Sequence, residues 1–188
     1  MIIPTPGIYP HMSTDEYQAL RREGVNSNSD IKHISRSVAH YEAHIASEGE
    51  SRSTALVLGQ AVHDAILTPH VFEAVFVRWT DTKSRNTKAY EAWEAATPGK
   101  AGLLPDEYGM VERVRDAVLS HPVAKKILTA DALCEESHLW ADEATGLPLR
   151  CRPDIRRADM GALFDLKTTE DASEREFSRS IARWSYHQ

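Results

Sequence analysis

The residues whose side chains could most clearly carry out a reaction are three charged ones near the end of the sequence, Asp154, Asp165 and Lys167. They fall in two short segments separated by the turn-like residues 158–161, and we expect these segments to be adjacent antiparallel strands. A four-residue hairpin loop at 158–161 sets Asp154 opposite Asp165. Because side chains alternate along a strand, Asp165 and Lys167 share one face of the sheet, and Asp154 joins them across the ladder.

Two carboxylates that face each other across a ladder repel unless a cation lies between them. Mg²⁺ is a hard cation, usually held by one or two carboxylates together with water and substrate phosphate oxygens. The preceding predicted strand adds Glu135 to the same face, opposite Arg152, if residues 142–145 form its loop. The other face is apolar and should lie against the core; it carries Cys134, Trp140, Cys151, Ile155, Phe164 and Leu166. A one-residue slip would exchange the two faces, so the agreement over two hairpins supports this register.

The elements that must position these residues form an α/β (α+β) pattern, a mixed sheet with an antiparallel meander flanked by helices. Capping signals and apolar spacing predict helices over 13–21, 27–45, 54–67, 89–96, 106–120, 122–130 and 173–185. The predicted strands are 71–79, 133–140, 147–157 and 162–168. Residues 80–88 are a basic, polar loop.

Composition excludes several classes of protein. At 188 residues with 41% hydrophobic residues, the chain can build one domain with a real core, and no stretch is long and apolar enough to span a membrane. Two cysteines are too few for a disulfide framework or a four-thiolate metal site, and they favour a reduced, cytoplasmic setting. The net charge of -6 argues against non-specific coating of nucleic acid, but a metal site concentrates carboxylates that its ions later neutralise.

Pro153-Asp154 followed by Asp165-Leu166-Lys167 resembles the motif of the PD-(D/E)XK nuclease superfamily. This resemblance implies a restriction-endonuclease-like core. More narrowly, the chain resembles exonuclease VIII (RecE-type) and phage-encoded relatives. The segments that carry the resemblance are NSNSDIKHISRSVAHYEAH, LVLGQAVHDAIL, EESHLWADEATGLPLRCRPDI, LFDLKTTEDAS and SYHQ. A bare D…D-x-K is a weak signal, whereas these segments in this order are a strong one.

The resemblance implies a role for individual residues. Asp154 and Asp165 would ligate Mg²⁺ or Mn²⁺, the carbonyl of Leu166 would be a further ligand, and Lys167 would act on the attacking water and the scissile phosphate. Glu135 would lie beside the ions, with Glu136 as an alternative. His63, which alone would be a core histidine on an apolar helix, would be a metal ligand or would orient one. Gln188 matches a motif residue near the site.

Basic side chains suggest where DNA would lie. Arg175, Arg179 and Arg183 recur at every fourth position of the last predicted helix, which is typical either of a solvated face or of a surface that follows a DNA backbone. Lys83 and Arg85 in the polar loop are weaker candidates of the same kind.

The expected organisation is a helical N-terminal region, 1–52, followed by a nuclease core, 53–188. The resemblance implies a further strand beyond Tyr186-His187-Gln188, so the core is expected to be truncated at the C-terminus. It also implies a DNA exonuclease that resects the 5′ end of linear duplex for phage-type recombination in a bacterial or phage-infected host, with a single-strand annealing protein as partner and a homo-oligomer as possible assembly. Two alternatives remain: a catalytically weak or inactive DNA-binding remnant, and a RecB-like nuclease of other polarity, whose iron–sulfur type two cysteines disfavour.

Overall fold

The structure, a computed structural model, describes residues 5–47, 53–169 and 171–184, with the side chain of residue 184 excepted. The mixed α/β class with small antiparallel sheets is confirmed. The expected boundary between residues 52 and 53 adjoins a segment that lies outside these ranges. None of the described helices is long and apolar enough to cross a membrane.

Among the described residues, helices dominate the first two thirds of the chain, where the three strands are short, and strands dominate the last third. The helices are α1 (Thr14–Ala19), α2 (Asn28–Ile31), α3 (Val38–Ala46), α4 (Thr54–Leu67), α5 (Pro69–Val75), α6 (Lys88–Ala96), α7 (Pro105–Ser120), α8 (Pro122–Ile127) and α9 (Glu174–Trp184). The strands are β1 (Gly7–Tyr9), β2 (Phe76–Arg78), β3 (Ala101–Leu103), β4 (Leu133–Cys134), β5 (Ser137–Ala141), β6 (Pro148–Cys151), β7 (Ile155–Arg157) and β8 (Ala162–Phe164).

Two features of the helical half differ from expectation. The prediction of a single helix over 27–45 is wrong, because this segment is divided into α2, a 3-10 turn and α3. The division occurs where Ser37 is fully extended and caps α3: its side chain accepts a hydrogen bond from the N–H of His40. The strand predicted over 71–79 is mostly helical, since Pro69 opens α5 and only Phe76–Arg78 is extended. The capping box of Ser13 and Glu16 is confirmed, and it starts α1.

The meander predicted at the end of the chain is divided between two sheets. One sheet has the strand order β1-β5-β6 and the other β4-β7-β8. The strand predicted over 133–140 is interrupted because Glu135 is in the left-handed conformation, with φ 57°. The strand predicted over 147–157 is interrupted between Cys151 and Ile155, so Asp154 lies at the crossing from one sheet to the other.

The register predicted across residues 158–161 is confirmed, because Arg157 pairs with Ala162. The register predicted between the two earlier segments is wrong by two residues, with Ala141 opposite Pro148. The cause is a wider turn, in which Gly146 adopts φ 69°. A shift of two residues preserves the face that each side chain occupies.

The main core lies where α4 packs against α7 and the inner face of β4-β7-β8. It is built from buried apolar residues that include Ala61, Val62, Ala65, Leu103, Val111 and Ile155, with Cys134, Phe164 and Leu166 packed against them. The apolar face predicted for this meander is therefore confirmed for β4, β7 and β8. It is wrong for Trp140, which is 41% exposed while Leu139 is buried, because the alternation restarts after Glu135.

Candidate metal centre

His63 is brought to the centre of the molecule by α4. Four residues before it lies Gly59, on the same side of the helix. At Gly59 a Cβ atom would already contact Thr168 Oγ1 at 3.4 Å, so the helix packs directly against the segment that follows β8. His63 is half-buried there, with its Nδ1 atom 3.8 Å from Asp154 Oδ2.

Asp154 is fixed by the backbone of the neighbouring segment. Its Oδ2 atom accepts a hydrogen bond of 2.6 Å from the N–H of Leu166, two residues beyond the last pair of the β7–β8 ladder. The side chain of Leu166 packs against the core, which holds this segment in place. The side chain of Asp154 is only 14% exposed, so protein groups rather than water surround most of it.

Glu135 reaches the same place because of its backbone conformation. Its N–H donates to the Asp154 carbonyl at 3.2 Å, which continues the β4–β7 register by one residue. The left-handed φ of 57° costs a non-glycine residue about 1–3 kcal/mol, and such strain is concentrated at functional sites. Its neighbour Glu136 instead binds Arg156 at 2.7 Å.

Together, His63, Glu135 and Asp154 present one nitrogen and two carboxylate oxygen atoms that lie within 4.8 Å of one another. This donor set suits a divalent cation such as Mg²⁺ or Mn²⁺, since oxygen ligands are preferred by both and imidazole is accepted by transition metals. It is the one group of this kind in the described part of the chain.

The electrostatics of the three residues also fit a cation. Burial raises the pKa of Glu135 to about 7, with a further contribution from the charge of Asp154. Burial likewise raises the pKa of Asp154, although the N–H of Leu166 opposes that shift. The two carboxylates therefore destabilise each other's charged form, and a divalent cation between them would relieve that repulsion.

Asp165 and Lys167 lie at the edge of this group. Lys167 Nζ is 2.5 Å from Asp165 Oδ2, and the two side chains are 43% and 57% exposed. The Asp165 carboxylate is close enough to raise the pKa of Asp154, but it is outside the group of three ligand atoms. The structure thus brings Asp154, Glu135 and His63 together, with the Asp165–Lys167 ion pair beside them.

A cleft of about 1160 Å³ opens next to Glu135. Its walls come from the N-terminal residues 10–15, from α4 and from α6, and the side chains of Asp64 and Arg152 line it near Glu135. Sequence reasoning assigned neither residue a role. Asp64 is buried and accepts hydrogen bonds from Gln60 and Thr68; its position directly after His63 was the available signal. For Arg152 the signal was its place two residues before Asp154.

The basic residues predicted to contact DNA are placed differently from one another. On α9, Arg179 binds Glu176 at 2.6 Å and Arg175 lies 3.8 Å from the same carboxylate, and Arg183 is exposed. Lys83 is exposed in the loop before α6. Arg85 instead binds both carboxylate oxygens of Glu107 and the carbonyl of Gly102, so it ties that loop to α7. Gln188 lies outside the described residues.

Comparisons with known proteins agree with this fold. No curated protein matches the sequence. Residues 27–188 match a family described as a PDDEXK-like domain of unknown function, DUF3799, and this range includes every residue of the candidate metal centre. The chain therefore belongs to the PDDEXK-like family DUF3799.

Proposed function

We propose that this protein is a metal-dependent nuclease that hydrolyses phosphodiester bonds of DNA. The observation that carries the proposal is the convergence of His63, Glu135 and Asp154 on one point, with Lys167 beside them. Family membership supports it, because the PD-(D/E)XK fold is a nuclease fold.

The roles proposed for the residues follow from their positions. His63, Glu135 and Asp154 would hold Mg²⁺ or Mn²⁺, with Asp165 and the carbonyl of Leu166 as additional ligands once substrate is present. The ion would polarise the phosphate and lower the pKa of a water molecule.

Lys167 lies next to the acidic group and is partly exposed, so it can reach a phosphate oxygen. Its ammonium group would stabilise the charge that builds on the phosphate as the bond breaks. The ion pair with Asp165 would hold the ammonium group near the reacting phosphate before substrate arrives.

The finer proposal is an exonuclease that degrades one strand of linear duplex DNA from its 5′ end and supplies single strands to an annealing protein. It is supported by the resemblance to RecE-type exonucleases of several sequence segments that occur in the same order along the chain. Arg175, Arg179, Arg183 and Lys83 would follow the DNA backbone through phosphate contacts. Assembly into a homo-oligomer would thread the duplex past the site.

The test is to incubate the protein and Mn²⁺ with linear duplex DNA and, separately, with covalently closed circular duplex DNA. The comparison tests nuclease activity and the exonuclease mode separately. An exonuclease degrades only the linear DNA, whereas an endonuclease also cuts the circle. Glu143→Gln is a matched control, since Glu143 is an exposed acidic residue in the turn between β5 and β6. This variant should behave like the wild type. A wild-type protein that cuts neither DNA would overturn the proposed function and favour a DNA-binding remnant.

A further inference from the structure

Arg152 is held at the cleft by neutral groups. Its guanidinium donates to Ser137 Oγ at 2.7 and 2.9 Å, to the carbonyls of Met12 and Ser13 at 2.9 and 3.1 Å, and to Thr14 Oγ1 at 3.2 Å. Hydroxyl and carbonyl oxygens satisfy these donors without cancelling the positive charge. The guanidinium carbon also lies over the ring of Tyr17, 4.4 Å from the ring centroid, which adds a cation–π contact.

This environment distinguishes Arg152 from its neighbours. The arginines of β6 and β7, on either side of Arg152 in the sequence, each form an ion pair with a carboxylate: Arg150 with Asp30 at 3.0 Å, Arg156 with Glu136 at 2.7 Å and Arg157 with Asp159 at 2.7 Å. In the part of the chain that the structure describes, no carboxylate forms an ion pair with Arg152. A half-buried guanidinium without an anionic partner is unfavourable unless a ligand supplies the anion.

The position of Arg152 indicates which anion that would be. Arg152 and Glu135 line the same cleft, and Arg152 lies close enough to Glu135 to favour its charged form. A divalent cation would neutralise Glu135 and Asp154, which leaves the positive charge of Arg152 uncompensated beside the site. In addition, Nη1 donates only to Thr14 among the described residues, so one of its N–H groups can still donate to a phosphate oxygen.

We propose that Arg152 is a substrate-binding residue that holds a backbone phosphate of the DNA on the cleft side of the scissile bond. This inference rests on the proposed nuclease function. It also gives a role to residues 12–14, which precede the matched range 27–188: they line the same cleft, and their oxygen atoms hold the guanidinium there. The N-terminal segment is then part of the active site rather than an independent region.

Arg152→Met and Arg152→Lys test the proposal against a purely structural role. Affinity for a labelled linear duplex is measured by fluorescence anisotropy in EDTA over a range of salt concentrations, and KM and kcat are measured in Mn²⁺. Arg152→Met should weaken binding about tenfold and reduce the salt slope by about 0.9, the value for one lost phosphate contact. Its KM should rise about tenfold with kcat nearly unchanged. Arg152→Lys keeps the charge and should retain most of the affinity.

Two controls separate the outcomes. Arg156→Met removes an arginine whose charge Glu136 already neutralises, and it should leave the salt slope unchanged. Melting curves identify any variant that fails to fold. If Arg152→Met does not fold, Arg152→Gln, which keeps hydrogen-bonding atoms and loses the charge, should show the same reduced salt slope and decides in its place.

The inference would be overturned by a folded Arg152→Met variant with wild-type KM and salt slope, or by Arg152→Lys losing as much affinity as Arg152→Met. A wild-type protein that neither binds nor cuts DNA would instead overturn the proposed function itself.

Discussion

Glu135→Gln separates the stability of the protein from its function. The folded-state pKa of Glu135 is about 7, above its ordinary value of 4.5. Between these two values the folded protein therefore binds more protons than the unfolded chain. Its contribution to stability is present at low pH and is lost as the pH rises through this window. Glutamine keeps the shape and carries no charge, so the substitution removes this dependence.

The magnitude follows from the two pKa values. Ionising Glu135 in the folded protein costs about 3 kcal/mol at most, at about 1.4 kcal/mol for each pKa unit. Linkage then gives the variant an advantage that is about 2 kcal/mol larger at pH 8 than at pH 5.5 in the absence of metal.

The assay is guanidinium chloride unfolding at pH 5.5 and 8, with EDTA in one series and Mn²⁺ in the other. In EDTA, Glu135→Gln should be the more stable protein at pH 8. Mn²⁺ at one hundred times its Kd should stabilise the wild type by about 2.7 kcal/mol and the variant far less. Glu143→Gln, which changes an exposed carboxylate, should show neither effect. The reasoning is refuted if Glu135→Gln is no more stable than the wild type at pH 8 in EDTA, or gains as much from Mn²⁺.

Three further outcomes are expected. Millimolar Mn²⁺ should raise the melting temperature of the wild type and not that of a His63→Ala variant, because ligand binding selectively stabilises the folded state; equal shifts would place the ion elsewhere. Lys167→Ala should cut DNA at least about a hundredfold more slowly while its melting temperature still responds to Mn²⁺, as expected for a group that favours the transition state; cleavage at the wild-type rate would exclude that role. Replacing Arg175, Arg179 and Arg183 by glutamine should lower the salt slope of DNA binding by up to about 0.9 for each lost contact, and similarly for all sequences; an unchanged slope would show that these residues are only a solvated face.

The part of the site on the β7–β8 hairpin could be predicted from the sequence. Its loop is short, so the loop length sets the register, and strict alternation then assigns Asp154 to one face and Phe164 to the other. Glu135 was predicted on the same face of the sheet as Asp154, and it lies beside Asp154 although the predicted β5–β6 register was displaced. The displacement is two residues, because the turn at Gly146 is wider than expected, and a shift of two residues leaves each side chain on the same face.

Other features could not be read from the sequence because they depend on tertiary contacts. A left-handed glutamate has no sequence signal, so neither the interruption at Glu135 nor the burial of Leu139 in place of Trp140 was predictable. The proximity of His63 to Asp154 joins residues that are distant along the chain, and only the family resemblance suggested it. Arg152 is informative only once the neutral character of its partners is known.

The most direct test of the account is cleavage of a labelled linear duplex by the wild type and by Asp154→Asn as the Mn²⁺ concentration is raised from zero. Asn keeps the shape of the side chain and removes the charge that would bind the ion. We expect no cleavage in EDTA, saturable cleavage by the wild type with added Mn²⁺, and none by Asp154→Asn at any Mn²⁺ concentration. Cleavage in EDTA, or wild-type rates from Asp154→Asn, would contradict a metal-dependent nuclease centred on this residue.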